Sequence, residues 1–244
     1  MTSETFAKKV VTSYKESKGV FSNKVNAEDH LPAGIGKKEA ALFLFYVIQL
    51  DYATKSQRLY QGAKELYKDY PSFYSPKAIL HLKKDELKKY LKDYLSPRYI
   101  NEALKRYTMN SSKLLDEYEG NPLHIFQQSK SAKEALRKVR EFRGFGPKIG
   151  NFLVRTMINT FDFNYQDIES ILPPVDVHDV RIAYLMGFVD SGKMSSKNIQ
   201  KVKEVWSNAC KDAGESWLVF DKALWLLGSE GRPQSKADVI NLLG

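Results

Sequence analysis

Residues 142–154 combine three glycines with a proline and a lysine, in the order Phe-Arg-Gly-Phe-Gly-Pro-Lys-Ile-Gly-Asn-Phe-Leu-Val. Gly144 and Gly146 suit a turn that needs positive φ and close backbone approach. Pro147 suits the first position of a helix, where its missing N–H costs nothing. The amides at such a helix start, together with the positive end of the helix dipole, bind phosphate. We therefore expect Gly144, Gly146 and Gly150 to line a site for one backbone phosphate.

The flanking pattern predicts a helix-hairpin-helix element over residues 132–158, which grips DNA without reading its sequence. Residues 31–40 repeat much of this pattern, as Leu-Pro-Ala-Gly-Ile-Gly-Lys-Lys-Glu-Ala. A very apolar helix with no acidic motif follows that early copy, over residues 41–50. We interpret the early copy as a structural turn that leads into a core helix.

Carboxylates follow the second copy, where residues 173–181 read Pro-Pro-Val-Asp-Val-His-Asp-Val-Arg. Asp176 is placed to be the N-cap of the helix that follows, and a capping carboxylate can still face a sugar. Asp179 is a rival acid that better fits a favourable role at the helix dipole. His178 is either structural or a phosphate contact. Arg181 pairs with an acid or with a phosphate, and its position does not choose between them.

A third carboxylate lies between two tryptophans. Asp221 is four residues from both Trp217 and Trp225, so all three share one face of a helix that is apolar almost all round. An unpaired carboxylate in such a helix costs several kcal/mol, roughly. Either a protein donor satisfies Asp221, or the side chain waits for a ligand.

The elements that must position these residues are predicted to be helices. Apolar residues recur at spacings of three and four in several stretches, such as residues 6–14, 59–67 and 100–107. Alternating strand patterns bounded by Asn-Gly or Asp-Gly turns are absent. The prediction is an all-α protein of ten or so helices in two lobes. Glycines that follow the last apolar residue are predicted C-terminal caps: Gly19, Gly120, Gly187 and Gly228.

Composition excludes several classes of protein. The 244 residues include 38 Lys plus Arg and 29 Asp plus Glu, which gives a net charge of +9 and favours a polyanionic partner, either nucleic acid or an anionic membrane surface. The single cysteine, Cys210, excludes a disulfide framework, a cysteine-rich zinc site and a four-cysteine iron–sulfur cluster. The longest apolar run, residues 40–48, is too short to span a bilayer, and the N-terminus lacks a signal-peptide pattern. We expect a soluble protein of the cytoplasm, associated with the nucleoid if the source is prokaryotic.

The glycine-rich turn that carries Lys148, taken with the later Val-Asp-x-His-x-x-Arg-like segment that carries Asp176, resembles the helix-hairpin-helix DNA glycosylases with a Gly/Pro-rich stretch and an essential aspartate. The resemblance is closest to their archaeal 8-oxoguanine branch. The long stretch between these two residues, the lack of iron–sulfur cysteines, and the C-terminal run around residues 205–206 and 220–228 all point to that branch. The similarity is clearest over residues 141–228.

The resemblance implies that residues 1–244 form a single catalytic unit of two helical lobes, with the hairpin at the cleft between them. It implies that Lys148 is the nucleophile that forms a Schiff base at C1′. It also implies that Asp176, within a catalytic segment over residues 173–187, stabilises the oxocarbenium ion and exchanges a proton with Lys148. Otherwise, Lys148 merely neutralises a phosphate at the hairpin.

In that branch, a matching aspartate and tryptophan line the pocket for the everted base. This implies pocket roles for Asp221 and Trp225, against the alternative of a core tryptophan beside a salt-bridged acid. Tyr60 is a further candidate wall, or ordinary core. A residue that recognises the oxidised edge of the base is expected near residues 20–30, without an assignment.

The function implied is a bifunctional glycosylase and AP lyase that excises 8-oxoguanine from damaged DNA as a monomer, without metal or organic cofactor and without a membrane partner. One alternative is a glycosylase of the same fold that acts on another oxidised or alkylated base. The other is a non-catalytic helix-hairpin-helix DNA-binding module. The pair Lys148 and Asp176 is the feature that separates the enzyme from the module.

Overall fold

The computed structural model describes residues 1–23, 25–52 and 54–244. Within them, helices are the regular elements and no β-strand occurs, which confirms the all-α prediction. The α-helices are α1 Ser3–Lys15, α2 Lys37–Ile48, α3 Ser56–Asp69, α4 Pro76–His81, α5 Lys84–Tyr90, α6 Ile100–Tyr118, α7 Leu123–Gln127, α8 Ala132–Arg140, α9 Pro147–Phe161, α10 Val177–Leu185, α11 Ser196–Ala213, α12 Trp217–Ser229 and α13 Lys236–Leu242. Short 3₁₀ turns lie at Gly19–Ser22, Ala27–His30 and Ile168–Ser170, and a π-helical turn at Leu91–Leu95. None of the described helices is long and apolar enough to cross a membrane.

The chain forms two compact units, and the larger is Val25–Ile168. Its central helix is α2, in which every residue from position 40 to position 48 is buried. Phe45 of α2 packs its ring 5.2 Å from that of Phe142 and 5.1 Å from that of Phe145. The turn between α8 and α9 is therefore anchored by aromatic packing on α2. The early copy of the pattern leads directly into this buried helix, which confirms its interpretation as a turn before a core helix.

The second unit joins the two ends of the chain, Met1–Lys24 and Glu169–Gly244. In it α1 packs against α11 and α12, and α10 packs against α12. An aromatic cluster forms this core: the ring of Trp206 lies 5.6 Å from that of Phe6 and 5.3 Å from that of Phe220. Apolar helix faces from both ends of the sequence thus bury each other.

The predicted glycine caps have different outcomes. Gly120 and Gly187 follow α6 and α10 with φ of +67° and +78°, as a C-terminal cap requires. Gly19 also has a positive φ, but it begins a 3₁₀ turn. The prediction for Gly228 is wrong, because this residue lies inside α12. A Cβ there would meet Cβ of His178 at 2.6 Å, so glycine allows α12 to approach α10 closely.

Candidate functional site

The glycine-rich turn joins α8 to α9 through residues 141–146. Gly144 has φ of +92°, in the left-handed region that favours glycine, as predicted. Gly146 is the N-cap of α9 and has φ of −71°, so positive φ is not its role. A Cβ at Gly146 would meet nothing within 4 Å, so the space beside this residue is open. Pro147 occupies the first helical position, as predicted.

Gly150 packs one turn of α9 against the loop before it. A Cβ at this position would lie 3.1 Å from the carbonyl oxygen of Phe145 and 3.4 Å from Cγ of Arg140. The N–H of Gly150 donates to the carbonyl of Gly146 at 2.8 Å, as part of the helix. Arg140 donates from Nη2 to Oδ1 of Asn151 at 3.0 Å, which ties α8 to α9. The turn is thus held rigidly, whereas its contact with a phosphate stays a prediction.

Lys148 is the second residue of α9, and its side chain is exposed. Its neighbour Ile149 is buried, so the helix start is fixed by the core while the lysine lies at the surface. The early copy has a close counterpart, since Lys38 is the second residue of α2 and is also exposed. Two lysines therefore occupy equivalent positions at two helix starts in the same unit.

Asp176 is the N-cap of α10, as the sequence predicts. Its carboxylate accepts hydrogen bonds from the N–H of His178 at 2.8 Å and from the N–H of Asp179 at 3.5 Å. In return Oδ2 of Asp179 accepts the N–H of Asp176 at 2.6 Å, which completes a capping box. These bonds hold a half-buried carboxylate at the helix start.

Asp179 occupies the predicted first turn of α10, but it is buried, with 4% of its surface exposed. Burial raises the pKa of its carboxyl well above the ordinary value, and the charges of Asp176 and Asp221 raise this pKa further. Since Asp221 belongs to α12 and is 6% exposed, the packing of α10 on α12 gathers three carboxyl groups. We call Asp176, Asp179 and Asp221 the acidic cluster.

The two tryptophans beside Asp221 have different environments. Trp217 is completely buried and Trp225 is half-buried, so only Trp225 offers part of its ring to a ligand. Burial is also the first cause of the high pKa of the Cys210 thiol, followed by nearby carboxylates that include Asp221. No group of three or more His, Cys, Asp or Glu side chains suited to a metal ion occurs among residues 1–23, 25–52 and 54–244.

Arg181 has a partner that the sequence did not predict. Its Nη2 donates to the carbonyl of Gly228 at 2.6 Å, and the same atom lies 3.2 Å from Nδ1 of His178. The bond to Gly228 joins α10 to α12 at the glycine that lets the two helices approach closely. Arg181 therefore fastens the helix that Asp176 caps, and His178 packs at the same junction.

Tyr60 lies in the unit Val25–Ile168 and is 2% exposed. Its hydroxyl donates to Asp51, which also accepts from the hydroxyl of Ser56 at 2.8 Å. Burial raises the pKa of the Tyr60 hydroxyl well above its ordinary value, and the charge of Asp51 contributes next. The ring of His30, from the segment where a base-recognising residue was expected, lies 5.5 Å away. A pocket role for Tyr60 stays a prediction.

Two buried or nearly buried charges near Tyr60 escaped the sequence analysis. The charges of Glu28 and Arg155 both act on the Tyr60 hydroxyl, and Arg155 is 3% exposed beneath the ring of Phe152, with a distance of 4.6 Å to the ring centroid. These residues come from separate segments, so no spacing pattern signalled them. For Arg155 the available signal was a charged residue within an otherwise apolar helical stretch, whereas Glu28 lies in a polar segment that gave no such signal.

The proposed catalytic residues belong to different units. Lys148 is part of Val25–Ile168, whereas the acidic cluster and Trp225 are part of the unit that joins the chain ends. The structure brings Asp176 and Asp221 together within one unit. That Lys148 acts with Asp176 stays a prediction.

Of the comparisons with known proteins, the one with solved structures gives a match. No family model and no curated protein sequence matches the chain. Among solved structures, the chain is similar to Pa-AGOG, an 8-oxoguanine DNA glycosylase from Pyrobaculum aerophilum, in its crystal structure complexed with 8-oxoguanosine. The match has a TM-score of 0.54 at 16% identity, and it covers 98% of this chain and 96% of that one. At this identity the likeness shows a shared helical fold.

Proposed function

We propose that this protein is a DNA glycosylase that excises 8-oxoguanine and then cleaves the strand as an AP lyase. The observation that carries this proposal is the fold likeness to an 8-oxoguanine glycosylase over nearly the full length of both chains. It is supported by an N-capping aspartate at the start of α10 and by an exposed lysine at the start of α9. Both are the residue types that base excision with strand cleavage needs.

Asp176 stabilises the sugar as the glycosidic bond breaks. Positive charge develops on the deoxyribose ring, and a carboxylate held close to the ring lowers the energy of that state. The amides of His178 and Asp179 orient the Asp176 carboxylate before substrate arrives. The oriented charge therefore needs no rearrangement at the moment of reaction.

Lys148 supplies the nucleophile. Its uncharged amine forms a bond from Nζ to C1′ while the bond from C1′ to the base breaks, and the base leaves with a proton. The nitrogen lone pair then breaks the bond from C1′ to the ring oxygen O4′, which takes up a proton, and the opened sugar is left as a protonated Schiff base between Nζ and C1′. Removal of a proton from C2′ then breaks the bond from C3′ to oxygen, and the 3′ phosphate leaves. The strand is cut without a metal ion in any of these steps.

The base must leave the DNA stack, because C1′ is not reachable within an intact duplex. We assign the half-buried ring of Trp225 as a stacking face for the everted base. The carboxylate of Asp221 is an acceptor that fits the N–H groups on the edge of a guanine derivative. We assign Gly144 and Gly146 of the turn, with Gly150 in the first turn of α9, to the site that receives a backbone phosphate.

A panel of duplexes, each with one defined lesion, tests the proposal. Base release and strand nicking are scored separately, and borohydride is added to trap the Schiff base. The wild-type protein is expected to release 8-oxoguanine, nick the strand and form a trapped complex. Release of a different base only would indicate another lesion specificity, whereas DNA binding without release or trapping of any lesion would favour a non-catalytic module.

The role of Lys148 is tested with a matched pair of variants. Lys148→Gln removes the amine and is expected to abolish trapping while DNA binding persists. Lys38→Gln makes the same change at the same helical position of α2 and is expected to retain trapping. An active Lys148→Gln variant, or equal loss in both variants, would exclude Lys148 as the nucleophile.

A further inference from the structure

Asp179 forms more contacts than a capping residue requires. Its Oδ2 accepts the backbone N–H of Asp176 at 2.6 Å, and its carboxyl group lies within hydrogen-bonding reach of the carboxyl group of Asp176. It is 4% exposed, and the carboxyl group of Asp221 on α12 acts on it as well. To close a capping box, an acid at the third position of a helix needs only the first of these contacts, as in the capping box at the start of α13.

A hydrogen bond between two carboxyl groups requires a proton on one of them, since two carboxylates offer only acceptors. Asp176 already accepts two backbone amides, and both of these bonds favour its ionised form. Asp179 is the more deeply buried of the two, so ionising it would leave a second charge with less access to water. The proton therefore belongs on Asp179.

Among the described residues, the charges that act on Asp179 are those of carboxyl groups. Its own helix presents Asp176, and Arg181 is directed to the carbonyl of Gly228 and to His178. From α12 it faces Asp221, and the nearby thiol of α11, Cys210, is kept neutral because burial raises its pKa. Asp238 of α13 is bound to the first amides of its own helix. The charges that act most strongly on Asp179 are thus negative.

We propose that Asp179 is a positioning residue that stays protonated at neutral pH and donates its proton to the carboxylate of Asp176. In this arrangement the Asp179 carboxyl group both accepts the Asp176 N–H and donates to the Asp176 side chain. Asp176 is thereby held as the ionised member of the pair, at a fixed orientation on the start of α10. The inference rests on the proposed function for its catalytic consequence, whereas the shared proton is a property of the folded protein alone.

Asparagine at position 179 tests this arrangement, because its amide oxygen can accept and its NH₂ group can donate in the same places as a protonated carboxyl group. Alanine at the same position removes both bonds. Asp238 provides the matched control, since it closes an equivalent capping box on α13, where Oδ2 accepts the N–H of Ser235 at 2.9 Å. Hydrogen bonds from Gln234 and Ser235 lower the pKa of Asp238, which favours its ionised form. Asp238→Ala therefore disrupts a capping box that is closed by an ionised acid.

The first readout needs no activity. Carbon NMR of the aspartate carboxyl groups is recorded as a function of pH on the full-length protein, and the Asp179 signal is assigned by its absence in Asp179→Asn. A neutral carboxyl group at pH 7 is the expected result. An ionised Asp179 at pH 7 would overturn the inference.

The second readout is the single-turnover rate of base release from 8-oxoguanine DNA, with DNA affinity measured in parallel. We expect Asp179→Asn to stay within about threefold of the wild-type rate and Asp179→Ala to lose about 10²-fold, the effect of a displacement of about 1 Å at a reacting group. DNA affinity and the rate of Asp238→Ala are expected to stay unchanged. If Asp179→Asn is as slow as Asp179→Ala, or if Asp238→Ala loses as much, the positioning role is excluded. A wild-type protein inactive on every lesion would reject the proposed function and leave the NMR result to decide the shared proton.

Discussion

Replacement of Gly228 by alanine probes how the packing of α12 on α10 sets the position of Asp176. The new Cβ would lie 2.6 Å from Cβ of His178, 3.2 Å from its Cγ and 3.3 Å from Cδ1 of Ile182. Since carbon atoms rest at about 3.5–4.0 Å from each other, the two helices must separate by about 1 Å. The nearest of these atoms, Cβ of His178, is bonded directly to the backbone of α10, so a rotation of the His178 side chain cannot move it away.

The cost of the substitution has two opposing parts. Overpacking a close contact destabilises by about 1–3 kcal/mol. Alanine in place of glycine inside a helix recovers about 1 kcal/mol. The net loss is about 1 kcal/mol, which lowers the Tm of a chain of this length by about 2–4 °C. A shift of about 1 Å at the start of α10 lowers the rate of base release by about 10²-fold.

Thermal unfolding and single-turnover base release on 8-oxoguanine DNA measure the two effects separately. Ser229→Ala is the control one residue along the same helix, and it removes only a hydroxyl for which no hydrogen-bond partner is found among the described residues. We expect this control to unfold and react like the wild type. If Gly228→Ala keeps both the wild-type Tm and the wild-type rate, the close approach of α10 and α12 does not position Asp176.

Three other substitutions have distinct expected outcomes. Asp176→Asn should slow base release by about 10²-fold or more, because the charge is lost. The Tm should change little, because asparagine caps a helix about as well as aspartate. A drop in Tm large enough to account for the lost rate would assign Asp176 to capping alone. Trp225→Ala should impair discrimination between lesions more than cleavage of abasic sites, and equal loss of both activities would mean that Trp225 is only core. The raised native pKa of Asp179 means that the native state holds its proton more tightly than the unfolded chain, whose aspartates have a pKa of about 3.9. The unfolding free energy of the wild type should therefore decline as the pH rises from about 4 towards that native pKa. In denaturant titrations, the unfolding free energy of Asp179→Asn relative to the wild type should then increase over this range. A difference between the two proteins that stays constant with pH would contradict the raised pKa.

Local sequence patterns predicted the elements of this protein well, because they depend on neighbours within a few residues. Apolar spacing predicted the helices, Gly144 and Pro147 marked the turn and the start of α9, and Asp176 was identified as an N-cap. Each of these signals reflects backbone geometry or an amide within one helical turn. The same logic failed for Gly228, where a glycine near the end of an apolar helix resembled a cap.

Tertiary packing decided what these local patterns leave open. The first-turn acid Asp179 is buried by the packing of its unit, and this burial, followed by the charges of Asp176 and Asp221, raises its pKa. Arg181 binds the carbonyl of Gly228, and the Tyr60 hydroxyl binds Asp51, rather than a partner suggested by its own segment. Solvation and charge are set by which helices meet, and helices far apart in sequence meet according to the shape of whole faces. The amino-acid order by itself determined where helices begin and which groups they carry, whereas the packing of those helices determined which of these groups hold a charge.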